Sequence, residues 1–269
     1  MKKISKIIAL VLAVSMLACF AACGKKGIKI GVQTNTTGDI YASGDFGEDA
    51  VIRYDNGALA VEALKSGKVD CVIIDIEPAK AYVAANEGLK ILETSYAEEE
   101  YAICFQKGND ELKVAVDGAL KELIADGSVK AIVDKYINSG DKKVELNGVP
   151  VKSVNTDKPD LKMATNAEFP PYEYIDGDKY YGIDIEVAQL IADKLGYDLI
   201  IENVAFDSII PGVQSGKYDM GMAGMTETEE RRESVDFSTS YATGIQAVIV
   251  REDGPIKTIE DLEPYYVEE

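Results

Sequence analysis

A chain of 269 residues, 46% hydrophobic and 28% charged, has the composition of a globular protein and is long enough for two lobes, each with its own core. It has no histidine and no tryptophan, so the usual general base and the commonest metal ligand are missing together. A formal net charge of -19 repels phosphate backbones and argues against a nucleic-acid partner.

The chain begins "MKKISKIIALVLAVSMLACFAACGKK", with Lys2, Lys3 and Lys6 ahead of an apolar run over 7–22 and small residues before Cys23. A basic head on a short apolar run predicts an export signal. The run is short for a membrane span, and no later stretch approaches one. "FAAC" before Gly24 resembles the bacterial lipobox, although Phe20 stands where leucine is commoner. That resemblance implies a lipoprotein signal peptide over 1–23 and a lipid on Cys23; cleavage without a lipid and an uncleaved anchor are the alternatives.

"KIGVQT" over 29–34 alternates like a strand and enters the polar turn "NTTGD". Asn56 is placed to cap a helix with Leu59, Ala60, Ala63 and Leu64 at helical spacing, which Gly67 stops. "VDCVIID" then reads as a buried strand, "PAKAYVAANEG" as a short helix, and "LKILET" and "EYAICFQKG" as strands. The order is βαβαβ, which calls for an α/β fold with a parallel or mixed sheet under covering helices. Cys71 and Cys104 sit in apolar strands and read as buried small hydrophobes, with a disulfide as the alternative. Two helices broken at Gly127 come next, and the polar run over 138–160 predicts a linker or a weak surface hairpin. Strand and helix order then begins again: "LKMATN", a helix over "GIDIEVAQLIADKLG" with Val187, Leu190, Ile191 and Leu195 inward, and "DLIIENV". "DSIIPGVQSGK" is expected as a helix capped by Asp207, followed by the strands "DMGMAGMT" and "GIQAVIVRED".

"SGKVD" over 66–70 and "SGKYD" over 215–219 repeat one phrase. Aligned on their serines, Val61 falls on Ile210, Leu64 on Val213, and Asp70 on Asp219. Each phrase therefore ends a helix and launches a buried strand, one unit per lobe. Ligands of open α/β sheets bind beyond the carboxyl ends of the strands. Those ends present Asp75 in one unit, and Gly224 and Thr226 in the other, with Arg231 five residues on. A carboxylate facing a guanidinium suits a zwitterion. Asp75 as a plain helix cap, and Arg231 in a solvated run with Glu227, Glu229, Glu230 and Glu233, are the structural alternatives.

"LKMATNAEFPPYEYIDGDKYYGIDIEVAQLIADKLG", "VAFDSIIPGVQSGKYDMGMAGMTETEERRESVDFS", "KIGVQTNTTGD" and "SGKVDCVIIDIEPAKAYVAANEGLKIL" resemble the amino-acid-binding extracytoplasmic solute-binding proteins of ABC importers, bacterial solute-binding protein family 3. "YAICFQKGNDELKVAVDGALKELIADGSVKAIVDKYI" resembles them too. The resemblance implies a two-lobed α/β fold, the periplasmic-binding-protein type 2 fold, with two hinge-crossing strands near "YAICF" and "GIQAVIV". The halves stand in permuted order, as in a circular permutation. The lobe usually second in the family would comprise 27–98 plus 250–269, and the lobe usually first 99–249 with the linker at 138–160.

Residue by residue, the resemblance makes Phe169 and Phe206 aromatic walls around the ligand, with core packing as their alternative. Asn166 would reach the side-chain end of the ligand, and Gln33 stands beside the site where some members carry a basic residue. Gly224, Thr226, Arg231, Thr36 and Thr37 would hold the ligand carboxylate, and Asp75 its ammonium. Asn35 replaces a frequent glycine in the turn, and asparagine tolerates left-handed backbone. Asn166 in place of an acid favours a neutral polar amino acid. The implied protein captures an amino acid by hinge closure, delivers it to an ABC permease, needs no cofactor or metal and is not an enzyme. It would be a monomer, lipid-anchored to the outer face of the bacterial cell membrane. A carboxylate-based lyase or dehydratase using Asp75 or Glu168, or a ligand-sensing module, is the alternative.

Overall fold

The computed structural model describes residues 27–93, 96–139, 145–151 and 156–267; the candidate export segment and Cys23 lie outside them. The chain opens with β1 (Ile30–Gln33), α1 (Thr37–Phe46), β2 (Val51–Tyr54), α2 (Gly57–Lys65), β3 (Cys71–Asp75) and α3 (Ile76–Ala85). It continues through β4 (Leu89–Ile91), β5 (Ala97–Tyr101), β6 (Cys104–Gln106), α4 (Asp110–Ala125), α5 (Ser128–Ile137), β7 (Val149–Pro150) and β8 (Asp160–Thr165). There follow β9 (Glu168–Phe169), β10 (Glu173–Asp176), β11 (Lys179–Tyr181), α6 (Ile183–Leu195), β12 (Asp198–Asn203) and α7 (Ile209–Gln214). The last elements are β13 (Met220–Gly221), α8 (Glu229–Ser234), β14 (Val235–Phe237) and β15 (Ala242–Arg251).

Two mixed sheets build two α/β lobes. One has the order β2-β1-β3-β15-β4, with β5 added on β15; the other has the order β12-β8-β13-β6-β14. A small antiparallel sheet, β7-β11-β10-β9, joins the second lobe and takes in part of the 138–160 linker. The parallel pairs occupy matching places: Ile30 lies beside Cys71 as Met163 lies beside Met220, and Gly31 beside Val72 as Ala164 beside Gly221. In each lobe an antiparallel strand completes the core, β15 against β3 and β6 against β13.

The repeated phrase explains the likeness of the lobes. Gly67 and Gly216 take left-handed backbone at φ 71° and 72°, which lets each chain reverse straight out of its helix. Ser66 Oγ donates to the Ala63 carbonyl and Ser215 Oγ to the Gly212 carbonyl. The aspartates then clamp the neighbouring strand. Asp70 N–H donates to the Lys29 carbonyl while its carboxylate accepts from Lys29 N–H at 2.9 Å; Asp219 and Lys162 repeat the exchange, at 2.7 Å. Asp70→Ala and Asp219→Ala are each expected to cost about 1 kcal/mol in urea unfolding, the usual value of one such bond. A cost confined to one of them would show that the two clamps are not equivalent.

The lobes are joined by two strands side by side. β5 pairs with β15 in the first sheet, with Ala242 opposite Tyr101, and the chain then crosses at Ala102 and Ile103 into β6 of the second. β15 returns from β14, and Tyr241 N–H donates to the Tyr101 carbonyl at the crossing. "EYAICFQKG" is thus two strands in different sheets.

Other departures have physical causes. α1 and β2 are absent from the sequence reading because the buried face of α1 is Thr37, Gly38, Asp39, Ala42 and Phe46, too polar and small to show an apolar stripe. Asp207 does not cap a helix: it lies within a 3-10 turn over Phe206–Ser208 ahead of α7. In α2 it is Val61 that faces inward, while Leu59 is exposed; Asn56 caps the helix as expected, accepting from Leu59 N–H at 2.9 Å. Cys71 and Cys104 are buried and free, one in each sheet.

Candidate functional site

Between the lobes lies a narrow cleft lined by Gln33, Thr36, Thr37, Asp75, Asn166, Phe169, Phe206, Gly224 and Arg231, all of which the sequence singles out. Thr226 does not reach it. Its backbone carbonyl instead accepts from Arg231 Nη1 at 2.7 Å, so its contribution is to hold the arginine.

Asp75 ends β3 and is 1% exposed. It does cap α3, since its Oδ1 accepts from Glu77 N–H at 3.2 Å, yet it also faces the cleft. The cap and the site are the same carboxylate. Its other oxygen accepts from the Tyr101 hydroxyl. Burial pushes Asp75 up to about 7, with the Tyr101 and Glu77 bonds opposing the rise.

Arg231 lies on α8, which Thr228 caps through its side chain. It is the one buried residue of that helix, not part of a solvated run. Its Nη2 donates to the Asn35 carbonyl in the other lobe at 3.0 Å, and its guanidinium lies 5.5 Å from the Phe206 ring centroid. Asn35 has φ 60°, the left-handed conformation that its position in the turn demands; Asp39 anchors its N–H at 3.0 Å. Burial draws Arg231 below the usual guanidinium range, and the negative Glu99 nearby opposes that.

Phe169 stacks on Tyr172 with centroids 5.7 Å apart. It packs against the apolar clusters of both lobes, so it is at once core and cleft wall. Gln33 Nε2 donates to Asn166 Oδ1 at 3.0 Å across the cleft, and Asn166 Nδ2 donates to the Val204 carbonyl. Thr36 caps α1, leaving that helix N-terminus facing the cleft beside Thr37.

Ile74 and Ala223, at the strand ends the repeat points to, complete the lining with Glu99, Tyr101, Glu173 and Gln246, and sequence reasoning did not find these last four. Glu99, Tyr101 and Gln246 lie on the two crossing strands, and the alternation in "AEEEY", which leaves Glu99 and Tyr101 on the buried side, is the signal that could have found them. Gln246 Nε2 donates to Glu99 Oε2 at 3.0 Å, while Glu99 Oε1 and Gln246 Oε1 have no partner among the described residues. Glu173 is fully buried, and neither of its oxygens receives a hydrogen bond. Asp184 beside it accepts from Gly224 N–H and the Tyr241 hydroxyl, each at 2.8 Å, and is raised to about 6 by burial. Burial first, then the charge of Asp184, holds Glu173 well above the carboxylate range. Glu173 is therefore the carboxyl of this pair that ionises less readily.

Residues 161–262 match the family model described as bacterial extracellular solute-binding proteins, family 3. That stretch is similar to family 3. It carries Phe169, Glu173, Phe206, Gly224 and Arg231 of the cleft. The arginine-binding extracellular protein ArtP of Bacillus subtilis (strain 168) is 37% identical over 105 residues, 39% of this chain and 41% of the relative. The L-cystine-binding protein TcyJ of Escherichia coli (strain K12) is 29% identical over 143 residues, 52% of this chain and 48% of the relative. The chain thus spans less than half the length of these relatives. Among solved structures, an ancestral arginine-binding protein bound to arginine shows 46% identity over 29% of this chain and 35% of its own, with a TM-score of 0.29.

Proposed function

We propose that the protein is the substrate-binding component of an ABC importer and captures a free amino acid in the interlobe cleft. The observation that carries this reading is a pair of buried, opposite charges lining one cleft from two lobes, Asp75 and Arg231, between two phenylalanine rings. An α-ammonium meets Asp75 and an α-carboxylate meets the fork of Arg231, supported by the N-terminus of α1. The ligand touches both lobes only when they are together, so binding shifts the population towards closure about the β5 and β15 crossing.

Charge balance refines the ligand. Asn166 alone favours a neutral polar side chain. A zwitterion matched to Asp75 and Arg231, however, leaves the carboxyls of Glu99 and Glu173 lining the cleft with no cation, and without one the buried Glu173 resists ionisation. A cationic amino acid supplies what is missing.

The proposal extends to the rest of the molecule. A lipid on Cys23 holds it at the outer face of the cell membrane, where it works as a monomer and the permease reads its closed shape. The order of halves is that of a circular permutation. The test is thermal-shift and calorimetric screening of the twenty amino acids against protein starting after Cys23. Saturable binding of arginine or lysine, lost in Asp75→Asn, is the expected outcome; a screen without a single binder would sink the reading.

A further inference from the structure

Tyr101 links the hinge strand to both ends of the candidate site, Asp75 and the support of Arg231. It is 1% exposed at the end of β5, where the chain leaves the first sheet. Its backbone bridges to Thr226, the residue whose carbonyl holds Arg231, and its ring meets Tyr172 edge-on at 5.2 Å, which in turn stacks on Phe169. Its hydroxyl donates to Asp75. The approach is possible because residue 244 on the paired strand is glycine. A Cβ there would lie 2.2 Å from the Tyr101 oxygen and 2.7 Å from Asp75 Oδ2.

We infer that Tyr101 is the positioning residue of the ammonium subsite: from the hinge strand, its hydroxyl aims the Asp75 carboxylate and keeps it an acceptor for the ligand's ammonium. The inference rests on the amino-acid reading above and names the residue that makes Asp75 competent. Each Asp75 oxygen already accepts one hydrogen bond from the protein, from Glu77 N–H and from Tyr101, and retains a lone pair for a ligand.

The groups facing Asp75 are Glu77 and Glu99, then Glu173 on β10, with Tyr101 and Tyr172 as the phenols. Burial, then the charges of Glu99 and Glu77, favour its protonated form. The Tyr101 hydroxyl is the first-ranking influence in the opposite direction. Without it Asp75 keeps its proton to higher pH and meets an ammonium as a neutral acid. Because Asp75 caps α3 and Tyr101 sits at the crossing, the same bond ties the subsite to the hinge.

The test is calorimetric titration of wild type, Tyr101→Phe and Gly244→Ala from pH 5.5 to 9. The probes are L-arginine and 5-guanidinopentanoate, the same molecule without its ammonium. Phenylalanine keeps the ring packing on Tyr172. Tyr101→Phe is expected to weaken L-arginine roughly ten- to a hundredfold at pH 7.5, the range for a hydrogen bond to a charged group. The acid limb of its affinity should also move to higher pH, while 5-guanidinopentanoate changes by less than about threefold. Gly244→Ala should show the same split with the hydroxyl present. In an Asp75→Asn background Tyr101→Phe should cost nothing further. Unchanged L-arginine affinity and pH profile in Tyr101→Phe, or equal losses for both probes, would overturn the inference. A wild type that binds no amino acid removes the site reading itself, and this inference with it.

Discussion

Arg231→Ala is expected to weaken amino-acid binding by roughly a hundredfold or more, because removing one partner of a buried charged pair strands the other. Three functions are lost together. The ligand carboxylate loses the only guanidinium that the described residues bring to the cleft lining, the Asn35 carbonyl loses a donor that reaches it from the opposite lobe, and Phe206 loses the cation above its ring. Loss of the Asn35 bond makes the effect larger than a surface ion pair would allow, since closure itself is weakened. Arg231→Lys keeps the charge but cannot serve the Thr226 and Asn35 carbonyls and a carboxylate in one planar fork, so it should recover only part of the affinity. The variant is not expected to unfold. Burial disfavours the charged guanidinium in the unliganded protein, so its removal offsets part of the lost packing. Circular dichroism melts beside calorimetry separate the two effects; wild-type affinity in Arg231→Ala would place the carboxylate elsewhere.

Much of this site was legible because the same phrase is written twice. Ser66 to Asp70 and Ser215 to Asp219 fold into the same helix stop and the same aspartate clamp, so the strand ends they launch mark the ligand edge of both lobes. Asp75, Gly224 and Arg231 follow from that position. Glu99, Tyr101 and Gln246 do not, because their place depends on pairing between strands far apart in sequence, with Gly244 opposite Glu99 and Gln246 opposite Asp75. Nor does local pattern reveal α8, which buries a single residue, and that residue is charged. The reading of Asn166 as a sign of a neutral ligand rests on one position and takes no account of Glu99 and Glu173, which other elements bring to the cleft. Thr226 was expected as a ligand contact but lies outside the cleft lining and holds Arg231 through its backbone carbonyl, a role that side-chain chemistry cannot disclose.

Glu173→Gln is expected to stabilise the unliganded protein at pH 8, leave it nearly unchanged at pH 5, and remove the preference for a cationic ligand. Glu173 is fully buried beside Asp184, and burial with that neighbouring charge raises it well above its ordinary 4.5. A carboxyl raised in the folded state holds its proton where the unfolded chain has released it. Its contribution therefore favours the fold at pH values below the unfolded pKa and is lost as pH rises through the folded one. Glutamine keeps the shape of the protonated form and does not titrate, so the melting temperatures of variant and wild type should diverge in the variant's favour as pH rises. Binding runs the other way. A guanidinium in the cleft would ionise Glu173 and release its proton, detectable as a heat that varies with the ionisation enthalpy of the buffer. In Glu173→Gln that proton release should fall, and L-arginine should weaken roughly tenfold or more while L-glutamine changes little. Stability and ligand choice would then be set against each other at one side chain, an acid kept in the core at a cost in stability because the ligand, once bound, supplies its counter-ion. Equal effects on both amino acids, with no change in proton release, would remove Glu173 from ligand recognition.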